Sequence, residues 1–159
     1  MKRILKFKPA LAGLISALYI AFSLVLQPLY FGPLQFRVSE VFAIMPIIFP
    51  EGIWGLTLGC FFTNLNSPFG ILDWGLGTVA TLIGALLTRY FRRNIKLALL
   101  MPVLSNAIIV SLYVSKLTSL PYAITALYIG ISEAIVIYLL GWPLLKFIER
   151  NPMFSGFKD

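Results

Sequence analysis

Long apolar runs, separated by short polar or Pro- and Gly-rich segments, make up most of this chain. The runs cover residues 9–27, 39–50, 52–66, 74–91, 97–115 and 122–147. About 20 consecutive apolar residues are needed for a helix to cross a bilayer. The pattern therefore predicts six helices, of which the second and third are short for a span.

Composition places the chain among membrane proteins. Of its 159 residues, 59% are apolar and 12% are charged, and the mean hydropathy is +0.90. A soluble core of this size does not bury so much apolar surface. We predict an all-α integral membrane protein in which residues 1–159 form one membrane-embedded bundle of six transmembrane helices. The first run follows a basic start, as a signal peptide does, but its full span length predicts a retained helix.

The basic residues predict the orientation of the bundle. In the six-helix arrangement, 11 of the 13 Lys and Arg residues fall on one side, and only Arg37 and Lys116 fall on the other. The positive-inside rule then places both termini and the loop at 92–96 in the cytoplasm, and the segments 28–38, 67–73 and 116–121 outside. Basic residues at helix ends meet lipid headgroups, so the net charge of +7 does not indicate nucleic-acid binding.

Several kinds of chemistry are disfavoured by what the sequence lacks. It has no histidine and one cysteine, Cys60, which lies in an apolar run and reads as a small buried residue. The usual zinc ligands and the usual base for a nucleophile are therefore missing. The sequence also has no GxxxxGK[ST] motif for ATP phosphates. We predict a protein that is not an enzyme, uses no metal or cofactor, and draws any transport energy from another protein.

Polar and aromatic residues gather in the outer half of the predicted bundle. Such convergence is what an outward-facing pocket for a flat polar molecule requires. The candidate binding residues are Phe36, Arg37, Glu40, Asn64, Asn66, Phe69, Asp73, Trp74, Asn106 and Glu133. An alternative for the segment 63–74 is a polar loop at the headgroup level, with Trp74 as an interfacial anchor.

Glu133 is the strongest single candidate, because a carboxylate at mid-membrane costs at least a few kcal/mol and usually faces a cavity, a partner or a substrate. Asn106 and Glu133 each lie roughly ten residues below an outer helix end, so we expect them at one level and facing each other. The alternatives are a structural role for Glu133 and interhelical hydrogen bonding for Asn106. Glu51, at a cytoplasmic turn, is expected to be solvated.

The first helix carries a seam of small residues. Gly13, Ala17 and Ala21 recur at intervals of four, which allows another helix to approach closely. The seam predicts either packing within the bundle or a docking face for a second membrane protein.

Two stretches carry a resemblance to a known family. The Ala-xxx-Ala motif "ALYIA" (17–21) resembles the one found in substrate-binding S components of energy-coupling factor transporters. Residues 34–89, with the motifs RxSE (37–40) and NxxSPxGxxDW (64–74), are similar to the S components assigned to queuosine precursors. The resemblance covers most of the chain. The combination of RxSE and NxxSPxGxxDW is more specific to the family than the Ala-xxx-Ala motif.

The resemblance implies an uptake system in a prokaryotic plasma membrane. The S component captures a 7-deazaguanine such as preQ1, preQ0 or queuine from outside. A transmembrane coupling subunit with two ATPases then drives its release inward. Ala17 and Ala21 would contact the coupling subunit, with Gly13 on the same seam.

The same resemblance suggests roles for the candidate binding residues. Glu133 would accept hydrogen bonds from the lactam and 2-amino edge of the ligand, and Asn106 would complete that edge. One of three aromatic rings would cover the flat face, namely Phe36, Phe69 or Trp74.

An aminomethyl ligand would also bring a cation, for which Asp73 or Glu40 would be a partner. Arg37 and Glu40 are expected at the rim of the pocket, or alternatively as an interfacial ion pair that orients the loop.

Other functions remain open from the residues alone. An S component for riboflavin, thiamine or biotin would use the same architecture with different side chains. A membrane enzyme is disfavoured because the chain has no histidine and its carboxylates are spread over several helix ends. A self-assembling channel would need polar faces that continue through the membrane. The polar groups of this chain stop at mid-depth.

Overall fold

The computed structural model describes residues 8–26 and 36–152, and every regular element in these ranges is helical. The six helical segments are α1 (Pro9–Val25), α2 (Val38–Ile48), α3 (Glu51–Asn64), α4 (73–90), α5 (Ile95–Thr118) and α6 (Tyr122–Arg150). The all-helical prediction is confirmed, and each predicted helix agrees with an observed one to within three residues at either end. The basic start of the chain and most of the segment 28–38 lie outside the described residues.

Two of these helices are long and apolar enough to cross a membrane, judged by length and composition over the described residues. They are α5 and α6, whereas α1 and α2 are apolar but shorter. The first part of α2, Val38–Ile44, has 3₁₀ geometry, and Met45–Ile48 is α-helical. Because a 3₁₀-helix rises about 2.0 Å per residue, α2 reaches further than an α-helix of equal length.

Two π turns interrupt the helical geometry. Asp73–Gly77 forms the start of α4, and Ile137–Gly141 lies within α6. The second of them lies against α2, since a Cβ atom at Gly141 would be 3.0 Å from Cγ2 of Ile44. π turns occur often at functional sites.

Helix α1 packs on α3 through two glycines one turn apart. A Cβ atom at Gly55 would lie 2.7 Å from Cβ of Ile15, and one at Gly59 would lie 2.9 Å from Cβ of Tyr19. Small residues spaced by four let membrane helices approach to backbone contact. The two helices are therefore fixed against each other with no free space.

Contacts at one end of the bundle show which helix ends lie together. The Glu51 carboxylate, at the start of α3, accepts a hydrogen bond from the backbone N–H of Lys8 (2.9 Å), just before α1. Arg89, near the end of α4, donates to the carbonyls of Pro46 and Ile47 (3.2 Å each), near the end of α2. The first four helices therefore alternate in direction. The expectation that Glu51 is solvated is wrong, because its buried carboxylate caps α1.

Helix α2 lies at the centre of the bundle, and all of residues 39–49 are buried. The other helices pack around it and expose large apolar side chains on their outer faces, among them Leu86, Leu127 and Leu139. An outer surface of this kind is typical of a helix bundle that is surrounded by lipid.

Candidate functional site

A buried ion pair links α2 to α4 at the end of the bundle opposite Glu51 and Arg89. The Arg37 guanidinium lies 3.2 Å from Oδ1 of Asp73, and both side chains are buried. Tyr113 of α5 donates its hydroxyl hydrogen to the same Oδ1, and Asn64 of α3 donates to the backbone carbonyl of Asp73 (3.0 Å). These four residues, the Asp73 cluster, join four helices by polar contacts.

Gly77, the last residue of the first π turn, packs directly against the Asp73 cluster. A Cβ atom at this position would lie 2.9 Å from Oδ1 of Asp73, 3.0 Å from Nδ2 of Asn64 and 3.1 Å from the Tyr113 hydroxyl oxygen. No side chain fits there unless the cluster opens.

The close contact at Gly77 leads to a prediction about the free energy of unfolding. Gly77→Ala should lower the free energy of unfolding by about 1–3 kcal/mol, because it forces the cluster apart. Gly75 provides a matched control in the same π turn, since a Cβ atom there meets nothing within 4 Å. Unfolding of both variants by heat in detergent measures the difference, and equal stability of the two would contradict the geometry.

The prediction that Asn106 and Glu133 face each other is confirmed. The Asn106 side-chain amide on α5 donates to Oε1 of Glu133 on α6, and both residues are buried. Oδ1 of Asn106 is also buried and has no hydrogen-bond partner among the described residues. Asn106 and Tyr113 lie seven residues apart on α5, which puts them on one face of that helix. The Asn106–Glu133 pair and the Asp73 cluster are therefore linked through this face of α5.

Glu40 is held by the first helix. The Tyr19 hydroxyl donates to Oε1 of Glu40 at 2.6 Å, and Glu40 is only 1% exposed. Both Arg37 and Glu40 are buried, because α2 enters the bundle directly and carries both side chains inward. Their expected pairing with each other is replaced by the contacts of Arg37 with Asp73 and of Glu40 with Tyr19.

The remaining candidates from the sequence are placed less centrally. Phe36 is half-buried and packs against the main apolar core, and Phe69 packs against a smaller core that includes Tyr113. Trp74 meets Phe61 edge to face, with 5.9 Å between ring centroids. Asn66 is exposed, and its side chain makes no hydrogen bond among the described residues.

Comparison with known proteins bears on this arrangement. A family model described as "QueT transporter" matches residues 10–150. The chain belongs to the QueT transporter family. The predicted resemblance to queuosine precursor transporters is thereby confirmed, and the family is one of transporters rather than enzymes. No curated protein and no solved structure shows a significant match.

The small-residue seam of this QueT family member faces outward. Gly13, Ala17 and Ala21 are exposed, and a Cβ atom at Gly13 would meet nothing within 4 Å. Helix α1 uses its opposite face, with Ile15 and Tyr19, to pack on α3. Within the described part of the chain, the seam is therefore not occupied by a neighbouring helix of the bundle.

Three residues of the site were not found from the sequence of this QueT protein. Tyr19 and Tyr113 each lie in an apolar run, where the sequence pattern assigns a tyrosine to the core. The same pattern assigns Gly77 to a helix and gives it no further role. The available signal was position, because a tyrosine well inside a membrane helix needs a hydrogen-bond partner for its hydroxyl. Such a tyrosine points to a polar residue on a neighbouring helix.

The polar interior is unlike a metal site over the ranges that the structure describes. No three His, Cys, Asp or Glu side chains come together there. Instead, carboxylate and amide oxygens alternate with tyrosine hydroxyls and one guanidinium, which is a set suited to hydrogen bonding with a polar organic molecule.

Proposed function

We propose that this protein is the substrate-binding S component of an energy-coupling factor importer. It captures a queuosine precursor, a 7-deazaguanine such as preQ1, preQ0 or queuine, from outside the cell. The buried Asn106–Glu133 pair is the observation that carries the proposal, taken together with membership of the QueT transporter family.

The chemistry of the pair matches the polar edge of a 7-deazaguanine. That edge presents a lactam N–H next to a 2-amino group, and one carboxylate accepts both hydrogen bonds in parallel. Glu133 supplies the carboxylate, held in position by the Asn106 amide. The Asn106 Oδ1 atom offers one further acceptor for the ligand.

Energy for uptake would come from separate subunits, because the sequence carries no phosphate-binding loop. A transmembrane coupling subunit docks on the exposed seam of Gly13, Ala17 and Ala21, and two ATPases act on it. The outward direction of the seam and its small side chains support this docking, since both favour close contact with a helix of another protein.

All six helices would cross the prokaryotic plasma membrane, with both termini in the cytoplasm. The excess of basic residues supports this orientation, since Arg89, Arg92, Arg93 and Lys96 cluster at one end of α4 and α5. The Asp73 cluster lies at the other end and would face outward, where the ligand enters.

Thiol labelling tests the orientation. A cysteine at Ser67 should react with an impermeant reagent on intact cells, and one at Arg93 should react only after the membrane is opened. Asn94 is the poorer position, since its side chain caps α5 by accepting from the N–H of Leu97. Cys60 is fully buried, so the unmodified protein serves as the blank. The reverse labelling pattern would place the proposed site at the cytoplasmic end.

A binding panel tests the proposal itself. Purified protein should bind 7-deazaguanines in calorimetric titration and should not bind riboflavin, thiamine or biotin, which lack the paired N–H edge. Preference for one of those vitamins would keep the S-component role and reject the substrate. Ion conduction by the purified protein in vesicles, without ligand binding, would instead favour a self-assembling channel.

A further inference from the structure

Carboxylates outnumber cations in the polar interior. Glu40, Asp73 and Glu133 are all buried at this level of the bundle, and within the described residues Arg37 is the one buried guanidinium or ammonium group beside them. Uncompensated charge is costly inside a membrane protein, so such a site favours a ligand that brings a positive charge.

The three carboxylates differ in how their charge is compensated. Asp73 forms the ion pair with Arg37 and also accepts from Tyr113, both on Oδ1. Glu133 accepts from Asn106. Asp73 is therefore already paired with a cation. Glu133 belongs to the Asn106–Glu133 pair, which is proposed to bind the base edge of the ligand.

Glu40 has no ion pair of its own, since Arg37 acts on it electrostatically but forms its ion pair with Asp73. Its hydrogen bond comes from the neutral hydroxyl of Tyr19, and its second oxygen, Oε2, makes no hydrogen bond to the described residues. Glu40 is buried on α2, which packs against α6, the helix that carries Glu133, so we place it near the position proposed for the ligand.

Tyr19 fixes the Glu40 carboxylate from the first helix. Tyr19 is fully buried, and its side chain packs directly on the backbone of α3 at Gly59. The hydroxyl therefore has little freedom to move. It holds Oε1 and leaves Oε2 available to another donor.

We propose that Glu40 is a specificity-determining residue that receives a cationic substituent of the ligand, and that Tyr19 is its positioning residue. This inference rests on the proposed function for the deazaguanine body and adds the group that selects among its derivatives. Asp73, the other carboxylate considered from the sequence, is the weaker choice, because it is already paired with a cation, Arg37, through Oδ1, although its buried Oδ2 has no hydrogen-bond partner among the described residues.

Two ligands that share the base edge separate the inference from the proposed function. One carries an aminomethyl group, which is a cation at neutral pH, and the other carries a neutral nitrile at the same ring position. The ratio of their affinities for purified protein, measured by calorimetry, reports on the cation alone. The wild-type protein should bind the aminomethyl compound more tightly.

Glu40→Gln should lower this affinity ratio by about tenfold or more, because a hydrogen bond between two charged groups is replaced by one to a neutral amide. Glu133→Gln, in contrast, should weaken the binding of both ligands together. Tyr19→Phe keeps the ring but removes the hydroxyl, so the ratio should fall by a smaller factor of roughly three.

Phe22→Leu provides a matched control on α1. Phe22 contacts Phe42 of α2 edge to face, with 5.2 Å between ring centroids, and it has no hydroxyl group that could hold the carboxylate. Its replacement should leave the affinity ratio unchanged, which separates positioning of Glu40 from general packing of α1 on α2.

An unchanged ratio in Glu40→Gln would overturn the inference and leave the proposed function standing. If that variant does not fold, an unchanged ratio in Tyr19→Phe has the same meaning. A wild-type protein that binds neither ligand would overturn the proposed function and this inference with it.

Discussion

Glu133→Gln should weaken the binding of a 7-deazaguanine by about 2 to 4 kcal/mol. The substitution keeps the shape of the side chain but replaces one acceptor oxygen with an N–H donor. It therefore removes a charge-assisted hydrogen bond and sets two donors against each other at the base edge. Calorimetric titration of guanine-like and adenine-like deazapurines against both proteins measures the loss.

The empty protein should fold equally well after this change. The remaining amide oxygen of the new glutamine can still accept from Asn106, and a buried negative charge is removed. Thermal unfolding without ligand checks this, and Glu149→Gln near the other end of α6 is the control for loss of a carboxylate. Equal affinity in both proteins, or a Glu133 variant that unfolds without ligand, would remove Glu133 from the site.

Ala17→Trp or Ala21→Trp should abolish uptake and leave ligand binding by the isolated protein unchanged within about twofold. Both residues are exposed on the seam of α1, so an indole there blocks the approach of another helix without entering the bundle. Uptake in cells that contain the partner subunits and calorimetry on the purified protein measure the two effects separately.

Leu127→Trp is the matched control for added bulk. Leu127 is 59% exposed on α6 and faces away from the bundle, so its replacement should preserve both uptake and binding. Loss of binding together with uptake in the α1 variants would mean that the seam supports the fold. Full uptake in both α1 variants would remove the seam from the partner interface.

The helices were predictable because each is a long apolar run that ends at a Pro-, Gly- or charge-rich segment. Lipid outside and apolar packing inside select the same residue types, so the runs stand out from the connections. The helix type was not predictable. The 3₁₀ start of α2 and the π turn at Asp73–Gly77 depend on how neighbouring helices fit together, which no local pattern encodes.

The carboxylate and amide members of the site were predictable for a related reason. A charge or amide in an apolar run is rare and costly, so Glu133, Asn106 and Asp73 were evident from the sequence. Their partners were not. The contact between Arg37 and Asp73 depends on the three-dimensional approach of two helices, and Tyr19 and Tyr113 resemble ordinary core residues until their hydroxyl groups are placed.

The cross-helix caps at the Glu51 end bear on how the chain is assembled during synthesis. The start of α1 is capped by a residue of α3, and the end of α2 by a residue of α4. Buried backbone groups that are left without a hydrogen-bond partner are costly. The earlier helix of each pair therefore completes its backbone hydrogen bonding only after the later one has left the ribosome. We expect the first four helices to reach their final packing together.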